Sequence, residues 1–203
     1  MRKDCWLLGI HRHLLLIILL YNYSCKQPKP VNAQLQEVAD ETLVRKGEYL
    51  ITIAGCNDCH SPKVLGPQGP EIDSSVMLSG YPASRPVPEW PMDVIAKGQV
   101  VVNFDLTAAM GPWGMSFAPN ITSDQTGIGS WTEQQFSNAL IHGKLKGLEG
   151  ARTLLPPMPW QNFKNMKQED VKAIFVYLKS IKPVRNVAPA SKTIDELKSI
   201  LNK

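Results

Sequence analysis

The chain has 203 residues, 43% of them hydrophobic, with 22 Lys+Arg against 18 Asp+Glu and four Cys. That length and apolar fraction suit one globular domain with a sizeable core. The formal net charge of +4 is small and no tract of like charge concentrates it, which excludes the basic footprint of a nucleic-acid-binding protein.

Arg2, Lys3 and Arg12 make a basic start, and Leu14-Leu15-Leu16-Ile17-Ile18-Leu19-Leu20 is an apolar run too short to span a bilayer. That is the form of a secretory h-region, so residues 1–24 are expected to be a signal peptide. Ser24-Cys25 follows, a small residue before a Cys, resembling the lipobox of bacterial lipoproteins. Cleavage there and acylation of Cys25 would tether the exported chain to a membrane, in the periplasm. Asn22 stands where the lipobox pattern has an aliphatic residue, so a plain signal peptide stays open as the alternative. Cysteine use favours the lipid: Cys5 leaves with the leader and Cys25 is acylated, so an oxidising compartment holds no stray thiol once Cys56 and Cys59 are employed.

Residues 25–40, with Pro28, Pro30, Asn32 and several Gln, are expected to form a flexible tether. From Leu43 through Gly47, Leu50, Ile51 and Ala54 the apolar and small residues recur at helical spacing and stop at Gly55. A helix therefore leads directly into Cys56-Asn57-Asp58-Cys59-His60.

C-x-x-C-H is the attachment signature of c-type haem. Two thiols three positions apart can add to the two vinyl groups of one porphyrin edge, and the next residue can bring its imidazole to the iron as proximal ligand. Cys56 and Cys59 are thus expected to bind one haem c covalently, with His60 as an iron ligand. The competing uses of such a pair fit less well. A thioredoxin-type dithiol belongs in a βαβ pattern and a zinc site needs a second ligand pair nearby, and neither context is present.

Nine prolines between Pro62 and Pro119 interrupt any long periodicity, so the segment from Ser61 to Asn120 is expected to form loops and short turns. It is too long for a bare connection and should wrap the haem or a neighbouring face. It should include a short helix near Asp93–Lys97 and a short strand over Gln99–Phe104. Regular helix returns over residues 130–141, where Thr132 or Ser130 can cap the start, Phe136, Leu140 and Ile141 form a stripe, and Gly143 is a stop. A further helix runs from about Lys167 to Ile181, with Val171, Ile174, Phe175 and Leu178 on one face, early acids and Pro183 beyond its end. Its expected task is to cross the first helix, with Tyr177 closing the contact near Gly47, which lacks a side chain. Ile194, Leu197, Ile200 and Leu201 suggest a tail helix within residues 190–203.

The sixth iron ligand decides between chemistries. Met158, in Pro156-Pro157-Met158-Pro159, is the best placed of seven Met, because prolines on both sides hold the backbone extended and rigid. A neutral thioether favours ferrous iron and suits an electron carrier. His142 would give a bis-histidine haem, and Met110 and Met115 could line the pocket. An isolated Met is also ordinary core filler.

The combination of C-x-x-C-H, Ala118-Pro119-Asn120-Ile121-Thr122, Gly127-Ile128-Gly129-Ser130-Trp131-Thr132, Pro156-Pro157-Met158-Pro159 and Tyr177-Leu178 resembles the class I cytochrome c domains related to those in cytochrome subunits of membrane-bound alcohol dehydrogenases. The resemblance implies an all-α fold around one haem, with residues 41–189 as the domain and His60 and Met158 as axial ligands. A single C-x-x-C-H departs from the multi-haem relatives, and the long Pro/Gly-rich insertion is an addition to a minimal cytochrome c.

Trp131 and Trp160 are candidates to pack on the haem, and Arg152 to pair with a propionate. The function this implies is a mono-haem electron carrier, not an enzyme. It would exchange electrons with redox partner proteins such as a dehydrogenase, a quinol-oxidising complex or a terminal oxidase. A haem sensor or peroxidase-like protein with an open sixth position is the alternative. A docking subunit with a structural haem is a third.

Overall fold

A computed structural model describes residues 31–201, with side chains from Asp40 to Ser199. The leader and Cys25 lie outside the described residues. The chain divides into two units, Met1–Val38 and Ala39–Lys203. Of the first only the helical residues 31–38 are described.

Helix α1 (Val31–Ile53) is longer than the periodicity from Leu43 predicts and takes in residues 31–40, where composition predicts a flexible tether. It ends where Gly55 takes a left-handed φ of 67°, which costs glycine little, and the chain turns straight into α2 (Cys56–His60). Two more long helices complete the frame. Helix α4 (Glu133–His142) starts at Thr132, whose hydroxyl accepts from the Gln135 N–H at 3.1 Å, and stops at Gly143. Helix α5 (Gln168–Ser180) presents Val171, Ile174, Tyr177 and Leu178 on its buried face.

These three helices meet in one core. Ile51 of α1, Phe136, Leu140 and Ile141 of α4, and the buried face of α5 pack with Leu78 and Ile128. The α1–α5 contact forms where the sequence puts it, at Gly47. A Cβ there would lie 2.1 Å from the Ala173 carbonyl oxygen and 2.6 Å from Tyr177 Cβ. Lys46, one residue earlier, pairs with Asp170 at 2.5 Å.

The segment after His60 corrects the all-α expectation, because it folds as two small antiparallel sheets. A hairpin joins β1 (Lys63–Gly66) to β2 (Gly69–Ile72) through Pro67-Gln68, with Lys63 opposite Ile72. After the short helix α3 (Asp93–Ala96), a three-strand meander joins β3 (Val101–Val102), β4 (Ala108–Gly111) and β5 (Gly114–Phe117). The physical reason is that prolines and glycines stop helical hydrogen bonding, while two-residue turns let short extended pieces satisfy one another's backbone groups. The strand expected over residues 99–104 shrinks to Val101–Val102.

Helix α6 (Ile194–Leu201) packs back on this sheet. A reciprocal cap starts it: Glu196 Oε2 accepts from the Thr193 N–H at 2.6 Å, and Thr193 Oγ1 accepts from the Glu196 N–H at 3.3 Å. Leu197, Met110 and Met115 are the buried centre of a second cluster, flanked by Val87, Trp90, Met92, Ile95 and Phe117. Among the described residues no helix is long and apolar enough to cross a membrane.

Candidate haem centre

Cys56, Cys59 and His60 all stand on α2, so their spacing along the chain becomes one turn of helix. Both thiols are free and half-buried. Burial pushes the Cys56 thiol up to about 11, against a smaller opposing pull from its backbone hydrogen bond. Burial also raises the Cys59 thiol, helped by Asp58 and opposed by Lys63. A thioredoxin-type dithiol needs the opposite, a lowered thiol pKa.

His60 is 8% exposed. Its Nδ1 lies 2.9 Å from the Pro119 carbonyl oxygen. A carbonyl only accepts, so Nδ1 carries the proton and Nε2 keeps its lone pair. Burial holds the imidazole below its usual pKa, with the Pro119 bond pulling the other way. The ring is thus neutral and oriented, with one ligating nitrogen free of the backbone. The His60 carbonyl accepts from the Gly80 N–H at 2.7 Å, and Tyr81 N–H donates to Ala118 O at 2.9 Å. The inserted segment therefore holds the carbonyl beside Nδ1 as well as the histidine backbone.

Lys63 is a residue whose part the sequence left unread. Its ammonium donates to the carbonyl oxygens of Asp58 at 2.6 Å, Ser61 at 3.3 Å and Asp105 at 2.8 Å. It ties the C-terminal end of α2 to the loop before β4. The only sequence signal was a cation three places after the histidine, which any solvated lysine would also give. Beyond it, Asp105 is fully buried and pairs with Arg85 at 2.7 Å. Asp105 Oδ1 also takes the Thr107 hydroxyl at 2.6 Å and the Asn103 amide at 2.7 Å.

Met158 is half-buried and packs against the three-helix core, as do Cys56, Met77, Ile121, Trp131, Phe163 and Met166. Met110 and Met115 belong to the other cluster. His142 is exposed at the end of α4. Arg152 is exposed and donates to Thr153 O and Ser191 Oγ, both at 2.8 Å. Trp131 lies on the main core.

These residues fit the haem c that the C-x-x-C-H spacing predicts. Two unpaired thiols and a neutral histidine with Nε2 free stand on one helix turn. Cys56 and partly buried apolar and thioether side chains, Met158 among them, pack against the same three-helix core, which suits an apolar ligand. Zinc fits poorly, because among the described residues no three His, Cys, Asp or Glu converge.

Similarity to known proteins agrees with the chemistry. The gluconate 2-dehydrogenase cytochrome c subunit of Pantoea cypripedii is 29% identical over 164 residues, 80% of this chain and 28% of that protein. The fructose dehydrogenase cytochrome subunit of Gluconobacter japonicus is 30% identical over 169 residues, 82% of this chain and 26% of that one. The chain is similar to cytochrome c subunits of dehydrogenases. The alcohol dehydrogenase (quinone) cytochrome c subunit of Gluconobacter oxydans, 29% identical over 155 residues, covers 74% of this chain and 24% of its own length. The chain thus spans about a quarter of the length of these relatives. No protein-family model matches it.

Proposed function

We propose that the chain is a mono-haem c-type cytochrome that carries single electrons to or from a dehydrogenase. In this reading residues 1–24 direct export, Cys25 carries a lipid that tethers residues 25–40 to the membrane, and residues 41–189 form the cytochrome domain in the periplasm. Cys56 and Cys59 would hold the haem, and His60 and Met158 would be the iron ligands. Haem c, when bound, supplies a one-electron couple, and the protein supplies ligands, orientation and a dry pocket.

The observation that carries the reading is the Nδ1 hydrogen bond of His60 to Pro119 O. It fixes the tautomer that ligates metal and holds the ring in one plane. Burial favours the uncharged imidazole. Met158, on a proline-stiffened loop against the same core as Cys56, is the neutral second donor. The dehydrogenase partner is inferred from the names of the relatives. The histidine that a peroxidase reading would call on, His142, is exposed at the end of α4, which favours the electron-carrier reading.

The test is expression with a haem-attachment apparatus, then haem quantification after denaturation. One haem per chain resistant to acid-acetone extraction is expected, lost when both Cys56 and Cys59 are replaced by Ala. Wild-type protein should fractionate with membranes and Cys25→Ala should not. Extractable haem, or none, would contradict the assignment.

A further inference from the structure

The inserted sheet and the tail helix form the second cluster, and two hydrogen bonds run from them to the loop that bears Met158. From β5, the Ser116 hydroxyl lies 2.6 Å from the Pro156 carbonyl oxygen, two residues before Met158. The geometry gives that hydroxyl one task. Trp113 Nε1 donates to Ser116 Oγ at 3.3 Å, which leaves the hydroxyl hydrogen to give, and Pro156 O is far closer than the next acceptor, Ala109 O at 3.5 Å. From the tail, Ser191 Oγ accepts from Arg152 Nη2 at 2.8 Å. Ser191 precedes Lys192, whose backbone pairs with Met115 through bonds of 2.8 and 2.9 Å. Arg152, Ser191-Lys192, Met115-Ser116 and Pro156 therefore make a closed ring of contacts.

The start of the loop has its own anchor on the end of α4, where Leu154 N–H donates to Gly143 O at 2.6 Å and Lys144 pairs with Thr153. Beyond Leu155 that support ends. Among the described residues, the Ser116 bond is the hydrogen bond that reaches Leu155–Met158 from outside the loop. Met158 N–H turns inward to Leu155 O at 3.3 Å.

We propose that the inserted sheet and tail helix brace the Met158 loop, with Ser116 and Arg152 as positioning residues that set how readily the thioether leaves the iron. The inference rests on Met158 being the sixth ligand. It gives the insertion a mechanical part: a loop held on both sides keeps its sulfur at the metal, and a loose one yields the position to an outside ligand.

Haem-loaded wild type, Ser116→Ala, Ser116→Thr, Arg152→Gln and Met158→Leu are compared for imidazole binding to the ferric form, read by absorbance. Ser123→Ala, which removes a hydroxyl bond of 2.8 Å to Ile181 O far along the chain, serves as control. Loss of one such bond should tighten imidazole binding about three- to tenfold in Ser116→Ala and Arg152→Gln. Ser116→Thr should restore wild-type affinity, and Ser123→Ala should not differ. Amide exchange across residues 154–160 should quicken in the same two variants. Exchange and imidazole affinity indistinguishable from Ser123→Ala in both variants would overturn the brace. Faster exchange with an unchanged Met158→Leu spectrum would retain the brace and overturn the ligand assignment.

Discussion

Replacing Gly47 by Ala tests the packing that aims α1 at the haem motif. A Cβ at residue 47 would meet Ala173 O at 2.1 Å and Tyr177 Cβ at 2.6 Å, where ordinary contact begins at 3.4 Å. The obstacle is backbone and a fully buried helix face, not a flexible side-chain tip, so α1 and α5 must move apart. Overpacking of this kind costs about 1–3 kcal/mol and more when backbone shifts. The better helix propensity of Ala returns about 0.5–1 kcal/mol. The upper part of the range applies, because three atoms, Ala173 O and C and Tyr177 Cβ, are met too closely at once, and a net loss of about 2 kcal/mol is expected. For a domain of this size that lowers the thermal midpoint by about 4–8 °C. The assay is thermal unfolding of the haem-loaded protein by circular dichroism. A midpoint equal to or above wild type, the outcome of propensity alone, would refute the reasoning.

Arg85→Ala leaves the Asp105 carboxylate buried without its cation, and should cost about 3–5 kcal/mol near pH 7. Burial pushes this carboxyl up, but the Thr107 and Arg85 hydrogen bonds outweigh it and hold it low. In wild type the group therefore contributes stability above the unfolded pKa of about 3.9 that is lost as pH falls through the lower folded value. In the variant the burial effect dominates, so the deficit should shrink as pH falls toward 4; a deficit constant with pH in denaturant titrations would contradict this. Lys63→Met removes a fixed cation bonded to the carbonyls of Asp58 and Ser61 around the haem motif. A nearby positive charge favours the reduced, less positive iron, so the midpoint potential measured by redox titration should fall, and an unchanged value would remove Lys63 from the tuning of the site.

Helices were legible wherever the sequence carried period and punctuation together. Thr132 and Gly143 bound α4, and the early acids and apolar stripe of α5 mark its extent within a residue or two. Gly47 announced the α1–α5 contact, because a glycine inside a helical period needs a packing reason. The insertion was not legible. Its prolines excluded long helices, and the short helix near Asp93 was expected and is present, but its strands are two to four residues long, too short for alternation to register. The thiols and histidine of the candidate site declared themselves because they are contiguous. The groups that orient them lie far along the chain, Pro119 being 59 residues from His60 and Asp105 being 42 from Lys63. Local spacing holds no trace of such pairs. Ser116, 40 residues from Pro156, is hidden for the same reason.

The most direct test of the central claim is the visible spectrum of the haem-loaded protein, oxidised and reduced, with and without carbon monoxide, for wild type and Met158→Leu. A six-coordinate low-spin wild type is predicted, with the weak long-wavelength sulfur-to-iron band when oxidised and no response to carbon monoxide, and Met158→Leu should lose the band and bind the gas. A high-spin wild type that takes up carbon monoxide, or a variant spectrum identical to wild type, would contradict electron transfer through a His60–Met158 haem.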